Sequence, residues 1–151
     1  MPKISARARS RSAARLAAVQ ALYQREMENT PVPSLLHEFH HHRLGATIEG
    51  VEYADAEVDF FVDVVRGVGA REAEIDALIA SKLARDWSLS RLDRPMRQIL
   101  RAGAYELVAR VDVATGTIIS EYVDVAKAFY DKKEASFVNG LLDAVAKEVR
   151  K

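Results

Sequence analysis

The stretch SRLDRPMRQILRAGAYEL, residues 90–107, decides the fold class. Ser90 and Asp93 are candidate helix N-caps, and Pro95 suits the first turn of a helix that begins just before it. Small or apolar residues then recur at spacings of three and four, at Met96, Ile99, Leu100, Gly103 and Leu107. Basic residues occupy the opposite side, at Arg94, Arg97 and Arg101. This spacing predicts an amphipathic α-helix.

The same spacing continues through most of the chain, and no segment alternates apolar and polar residues as a half-buried strand would. Only four prolines and seven glycines interrupt it. The sequence therefore predicts an all-α protein, a compact bundle of six or so helices. Their expected ranges are 5–28, 34–44, 56–84 with a bend at Gly67 and Gly69, 90–107, 118–130 and 134–149. We expect residues 56–84 to form the central core element.

The composition indicates one globular domain spanning residues 1–151. Hydrophobic residues make up 49% of the chain and charged residues 29%, and no apolar run reaches the roughly 18 residues of a membrane helix. Cysteine is absent, which excludes disulfides, thiolate metal sites and a thiol nucleophile. We therefore predict a cytoplasmic protein that does not bind membranes.

Charge is distributed unevenly along the chain. Residues 1–25 carry six basic side chains and no acidic one, whereas the remaining residues hold 16 basic against 22 acidic groups. The start is therefore +6 and the rest −6, within a net charge of zero. A basic arm, residues 3–15, on an acidic body indicates a polyanionic partner for the arm and a basic protein partner for the body.

The arm contains Arg7, Arg11 and Arg15 at spacings of four, so they share one side of the predicted first helix. Like charges at this spacing cost about 0.2–0.5 kcal/mol per pair, and bound phosphate would remove the repulsion. We expect the core face of this helix to hold Leu16, Val19, Tyr23 and Met27, so that charge and core are separated. A solubilising tail and a mitochondrial transit peptide are the alternatives. Nucleic acid is favoured, because the basic residues continue into an apolar helical pattern.

No catalytic, cofactor-binding or metal-binding residue is predicted. His37 and His41 have the i, i+4 spacing of zinc proteases with Glu38 between them, but all four histidines fall in residues 37–42 and no third histidine ligand follows elsewhere. Phosphate-binding glycine loops and the nucleophile motif G-x-S-x-G are absent from the sequence. The chain is therefore predicted to act by binding.

A second candidate binding surface lies at the start of the last helix. Phe137 falls at the margin of that helix's apolar stripe, and Lys132 and Lys133 precede it. A helix N-terminus with two lysines and an edge aromatic combines an anion site with a platform for base stacking. An ordinary core phenylalanine is the alternative reading. Asn139-Gly140 within the same helix indicates close packing or close approach of a ligand, because glycine costs about 1 kcal/mol there.

Three stretches together resemble the NusB family of bacterial transcription antitermination factors. They are the arginine arm running into AVQALYQ at 18–24, LRAGAYEL at 100–107 and FVNGLLD at 137–143. The resemblance covers almost the whole chain. It implies two small helical subdomains with six to seven helices and no catalysis. It also implies binding to the boxA element of ribosomal RNA leader transcripts, together with the ribosomal small-subunit protein NusE, in the RNA polymerase antitermination complex.

The resemblance also implies roles for individual residues. Arg11 and Arg15 match basic positions of the arginine-rich motif, with Arg7 and Arg9 nearby. Tyr23 corresponds to a tyrosine on the RNA face and Phe137 to an aromatic that meets a base. Arg101 and Lys133 complete the predicted RNA-binding set.

Other aspects of function stay open at this level. Monomer and homodimer are both compatible with the sequence. The alternative functions are an RNA-binding domain related to those of ribosomal RNA cytosine methyltransferases and a helical adaptor that binds only protein. The chain has no room for a methyl-donor domain and no catalytic cysteine, which argues against an intact methyltransferase.

Overall fold

The structure, a computed structural model, describes residues 6–39 and 55–150, with side chains for residues 9–39 and 58–150. These residues form seven α-helices and one 3₁₀ turn, Leu89–Arg91, and contain no strand. The helices are α1 (Ala6–Glu28), α2 (Val32–Phe39), α3 (Asp55–Ala70), α4 (Glu72–Ala80), α5 (Arg94–Ala109), α6 (Thr115–Phe129) and α7 (Lys132–Val149). Two compact units divide the chain, Met1–Arg66 and Gly67–Lys151. The predicted all-α fold with two helical subdomains is confirmed.

In the first unit, α1 ends at Glu28 because the next residue leaves the helical conformation. Asn29 has a φ of 53°, the left-handed conformation that commonly follows a helix and that asparagine tolerates better than most residues. Helix α2 then begins at Val32, where the Leu35 amide donates to the Pro31 carbonyl. The structure begins this helix two residues before the predicted range of 34–44, so Ser34 lies inside it.

The core face of α1 differs from the predicted one. The fully buried side chains are mostly alanines, with one valine and one leucine: Ala14, Ala18, Val19, Ala21 and Leu22. Tyr23 and Met27, expected in the core, are 38% and 47% exposed. Alanines let neighbouring elements approach closely, and α2 packs against α1. Phe39 of α2 stacks on Phe61 of α3, with ring centroids 5.6 Å apart.

The predicted element at 56–84 is a pair of helices, and their break lies at Arg71 instead of Gly67 and Gly69. Helix α4 ends at Ala80, so Leu83 belongs to the turns that follow. The histidines at 40–42 lie outside the described residues, and so does His41 of the His37–His41 spacing noted in the sequence. None of the described helices combines the length and apolar character needed to cross a membrane.

Helix α5, not the 56–84 element, is central in the second unit. It packs against α4, α6 and α7, and every side chain from Gln98 to Leu107 except Arg101 is buried. A helix covered by three neighbours buries most of its residues, so its buried polar side chains need internal partners. Glu106 is fully buried and accepts a hydrogen bond from the Tyr122 hydroxyl of α6.

Glycine is required at position 67 because the Tyr105 ring approaches the backbone closely there, and not because the helix bends. A Cβ atom at this position would lie 2.1 Å from Cζ of Tyr105, whose side chain is 6% exposed. Such a distance is far inside van der Waals contact, so the ring occupies the space that any other residue would fill. Gly103 of α5 has a similar but softer role, because its Cβ would meet a terminal methyl of Leu142 at 2.8 Å.

The Arg150 side chain caps the carboxyl-terminal end of α5. Its guanidinium donates to the carbonyl oxygens of Glu106, Leu107 and Arg110 at 2.8–3.3 Å. It also donates to the Val113 carbonyl at 2.7 Å and to the Thr115 hydroxyl at 3.1 Å. The last carbonyls of a helix lack intrahelical partners and carry partial negative charge. Arg150 therefore satisfies the end of α5 and ties the α5–α6 connection to the end of α7.

Candidate nucleic-acid interface

The arginines of the arm differ in their surroundings along α1. Arg7 lies in α1, but its side chain is outside the described set; Arg9 is exposed. Arg11 is half-buried, with its guanidinium carbon 4.7 Å from the centroid of the Phe60 ring. Arg15 is only 1% exposed and lies 4.8 Å from the same centroid. The exposure of the arginine side chains therefore decreases along α1 from Arg9 to Arg15.

The expected separation of charge and core on α1 is wrong at Arg15. Ala14, Ala17 and Ala18 surround it in sequence, and their small side chains leave room for a large one. The face of an aromatic ring attracts a cation, which compensates in part for the lost hydration of a buried guanidinium. Arg15 therefore helps to hold α1 against α3, and a direct contact of Arg15 with RNA stays a prediction.

Tyr23 shares a side of α1 with Arg9. At 100° per residue the two positions differ by about 40° around the helix axis and by about 21 Å along it. Both side chains are exposed, so one surface offers a guanidinium at one end and an aromatic ring at the other. We call these two residues the α1 surface; Arg11, two residues from Arg9, lies on another side of the helix, against Phe60.

The start of α7 has the predicted exposed aromatic. Phe137 is 39% exposed, and Lys132 and Lys133 are exposed in the first turn. The prediction that Phe137 stands at the margin of the apolar stripe is confirmed, whereas its contact with a base stays a prediction. Within the described part of the chain, no atom lies within 4 Å of where a Cβ of Gly140 would be, so the described residues do not pack closely at this glycine.

Phe137 and Lys133 line a cleft of about 540 Å³, which we call the α7 cleft. The turns after α4, the start of α5 and the first turns of α7 form its walls. Its larger apolar side chains are Leu83, Trp87, Leu92, Met96 and Phe137. Its charged side chains are Arg91, Asp93, Lys133 and Glu134. The two positive and two negative side chains balance, so the lining of the cleft contains charged groups but has no net charge.

Trp87 and Arg91 are features of the cleft that the sequence analysis missed. Trp87 is 53% exposed, and the Arg91 guanidinium lies 5.6 Å from the centroid of its ring. Arg91 also donates to the Asp86 carbonyl at 2.7 Å, which fixes its position. The signal in the sequence is the single tryptophan of the chain, placed in the polar run RDWS, where burial is unexpected.

Asp93 is held in place on another wall of the cleft. The Tyr130 hydroxyl donates to its Oδ2 at 2.7 Å. Burial and then this hydrogen bond raise the pKa of Tyr130, so the phenol keeps its proton and remains a donor. Asp93 was expected to cap α5 and does occupy the N-cap position, but its side chain makes no capping hydrogen bond.

Arg101 is not part of the α7 cleft. Its Nε and one terminal nitrogen donate to the two carboxylate oxygens of Asp76 at 2.8 and 2.9 Å. Its other terminal nitrogen lies 3.4 Å from Glu72, and the side chain is 12% exposed. This fork-like pairing ties α5 to α4. A contribution of Arg101 to RNA binding stays a prediction.

The candidate residues thus fall into separate sets. Arg9, Arg11, Arg15 and Tyr23 belong to the first unit, and Lys133 and Phe137 lie together in the second. With seven helices, an arginine-bearing first helix and an exposed aromatic beside lysines, the described residues define the class of small all-α proteins with surfaces suited to nucleic acid.

Comparison with known proteins identifies the family within this class. The model of the NusB family matches residues 12–147, so the chain belongs to the NusB family. Transcription antitermination protein NusB of Sphingopyxis alaskensis is 68% identical over 145 residues, covering 96% of this chain and 97% of that protein. The protein of the same name from Novosphingobium aromaticivorans is 67% identical over 150 residues, covering 99% and 100%.

Solved structures agree with this assignment. NusB of T. maritima has a TM-score of 0.78 and 31% identity, with 91% of both chains covered. A crystal structure of the antitermination factors NusB and NusE in complex with dsRNA contains a chain with a TM-score of 0.79 and 27% identity. That match covers 93% of this chain and 98% of the other.

Proposed function

We propose that this protein is a transcription antitermination factor that binds the boxA RNA of ribosomal RNA leader transcripts together with NusE. It acts within the RNA polymerase antitermination complex. The observation that carries the proposal is the presence, in a NusB-family chain, of two exposed surfaces that combine basic and aromatic side chains. A related structure contains NusB with NusE and dsRNA, which supports both partners.

The residues divide into contact and support roles. Arg7, Arg9 and Arg11 bind phosphates, for which the planar guanidinium fork is suited. Tyr23 and Phe137 present faces for bases, and Lys133 adds a positive charge beside Phe137. Arg15 and Arg101 are committed to internal contacts and position α1 and α5. They support the surfaces without being their main contacts.

The protein works by binding and not by catalysis, as one RNA-binding domain over residues 1–151 in the cytoplasm. Its acidic body, −6 outside residues 1–25, is the part that meets the basic protein partner. Antitermination then results from holding RNA and NusE at once, so that the two ligands strengthen each other's binding.

The proposal is tested by measuring binding to a boxA-like RNA and to a scrambled RNA of equal length, each with and without purified NusE. We expect tighter binding to the boxA-like RNA and a further gain with NusE. Equal binding to both RNAs in both conditions would refute the boxA assignment. Binding to NusE without any RNA binding would make the protein an adaptor.

Charge removal from the arm should weaken RNA binding and flatten its dependence on salt. We choose Arg7→Gln with Arg9→Gln, because Arg11 and Arg15 contact Phe60 and their loss would disturb the fold. If each arginine neutralises one phosphate, the slope of log K against log salt falls by about 0.7 per residue, or about 1.4 for the pair. Titrations at four salt concentrations measure it.

The matched control for the arm removes two exposed charges elsewhere. Lys127→Gln with Lys147→Gln takes away the same charge from α6 and α7, where the side chains are 62% and 77% exposed. The slope should then stay near that of the unchanged protein. A slope that is unaltered in the arm variant, or altered equally in both variants, would contradict the role of the arm.

Phe137→Leu should separate binding from stability. The side chain is 39% exposed, so leucine loses little buried area and the free energy of unfolding should change by less than about 1 kcal/mol. Removing the aromatic face should weaken RNA binding by roughly 1–3 kcal/mol. A thermal melt and an RNA titration measure the two quantities. Lost stability with intact binding would return Phe137 to a purely structural role.

A further inference from the structure

We propose that the α7 cleft is a pocket for one unpaired nucleobase of the bound RNA, stacked on Trp87 and selected for an exocyclic amine by Glu134. This inference rests on the proposed function and extends it to residues outside the arginine arm and Phe137. Trp87, Arg91 and Glu134 are thereby given a part in RNA recognition.

The shape and lining of the cleft fit a base. Its volume, about 540 Å³, is within the about 300–1,000 Å³ of small-ligand sites, enough for a base and its ribose. Trp87 is 53% exposed and Phe137 39%, so two aromatic side chains lie in one cleft with part of their surface open to solvent. Any base has a π-face that stacks on such rings, whereas a water-filled cleft leaves them hydrated.

Arg91 holds the Trp87 ring in position for stacking. Its guanidinium lies over the Trp87 ring at 5.6 Å and is fixed by the hydrogen bond to the Asp86 carbonyl. A ring held in this way loses less rotamer freedom when a ligand binds, which favours affinity.

The acidic residues point to the kind of base. The Glu134 Oε2 atom is buried and has no hydrogen-bond partner among the residues that the structure describes, which is costly for a carboxylate oxygen. Carboxylates accept hydrogen bonds from exocyclic amines of bases, as acidic side chains do from cytosine N4. Uracil has no exocyclic amine, and its one donor on the pairing edge is the ring N3–H. The cleft therefore favours adenine, cytosine or guanine over uracil.

The charge balance argues for a base over other occupants. The two positive and two negative side chains give the cleft no net charge, so it does not attract a free phosphate or a strongly charged peptide. The cleft is also continuous with the Lys133–Phe137 surface proposed to bind RNA, because both residues line it. A strand held on that surface has a base within reach of Trp87.

The single tryptophan of the chain provides a direct readout. Titration of the protein with boxA-like RNA should quench its fluorescence, with a midpoint equal to the dissociation constant from fluorescence anisotropy of labelled RNA. Trp87→Leu should weaken binding about 5- to 100-fold, the equivalent of losing one base–aromatic stack. Phe129→Leu, which removes an aromatic that is 41% exposed and outside the cleft, is the matched control and should bind as the unchanged protein does.

Base preference is tested by a second series. Abasic substitution at each position of the RNA identifies the nucleotide whose loss abolishes the quenching, and that position is then varied through the four bases. We expect uracil to bind about tenfold more weakly than the amine-bearing bases, and Glu134→Met, which lacks an acceptor, to remove the difference.

The outcomes separate this inference from the proposed function. If RNA binds in an arm-dependent manner but tryptophan fluorescence and the affinity of Trp87→Leu are unchanged, the base pocket is refuted and the proposed function stands. If the fluorescence changes on adding NusE without RNA, the cleft binds protein and the inference is also refuted. If no RNA binds with or without NusE, the proposed function itself fails.

Discussion

Gly67→Ala is expected to lower the free energy of unfolding by about 3 kcal/mol, near the upper end of the usual cost of overpacking. The added Cβ would lie 2.1 Å from Cζ and 2.4 Å from the hydroxyl oxygen of Tyr105, so the buried ring must move. Alanine's higher helix propensity offsets only about 1 kcal/mol of the steric cost. Urea denaturation followed by circular dichroism measures the change.

Gly140→Ala is the matched control for this substitution. Gly140 is exposed in the middle of α7, and no atom of residues 6–39 or 55–150 lies within 4 Å of a Cβ there, so alanine should raise the free energy of unfolding by about 0.5–1 kcal/mol. The same chemical change should therefore act in opposite directions at the two positions. Two variants with equal effects would show that the Tyr105 ring does not limit position 67.

Arg150→Met is expected to cost about 3 kcal/mol of stability, because hydrogen bonds from a charged donor contribute about 1.5–3 kcal/mol each and several acceptors lose their partner. Five hydrogen bonds are lost at once, three of them to carbonyls at the end of α5. Some of these carbonyls regain water, so the total is far less than five times the single value. Denaturant titration measures it.

The control for Arg150 is a neighbouring basic residue on the same helix. Lys147 is 77% exposed and pairs with Asp143 at 3.1 Å, so Lys147→Met should change the free energy of unfolding by less than about 1 kcal/mol. Arg150→Lys should fall between the two, since one ammonium cannot reproduce the fork that reaches several carbonyls. A loss of unfolding free energy for Arg150→Met no larger than that for Lys147→Met would refute the capping role of Arg150.

The helices were predictable because their signal is local. The spacing of Met96, Ile99 and Leu107 predicted α5, and the structure differs from the predicted range by only a few residues at each end. What periodicity could not show is which helix is central. Helix α5 is covered by three neighbours, and its burial depends on residues distant in the chain.

The errors on α1 have a related cause. Large apolar residues were taken as the core face, so Tyr23 and Met27 were placed inside. The structure buries alanines there, because close helix packing favours small side chains over large ones. Arg15 is the converse case, since its burial depends on the Phe60 ring of a helix that begins beyond residue 54.

The candidate site was predictable only in part. The exposure of Phe137 followed from its place at the edge of an apolar stripe, a property of one helix. The α7 cleft did not, because Trp87, Asp93 and Phe137 come from different elements and meet only in the fold. The pairing of Arg101 with Asp76 was hidden for the same reason. A basic residue on a predicted surface can be committed to a partner that the sequence does not reveal.

The contact between Gly67 and Tyr105 also constrains the order in which this chain can evolve. A side chain at position 67 is excluded while the ring is present, whereas Tyr105 can first be replaced by a smaller residue at the cost of a cavity. The second change then fills the space that the first one opened, so the two substitutions are non-additive. Descendants of this sequence should therefore lose the tyrosine before they lose the glycine, and an alanine at 67 should occur with a small residue at 105.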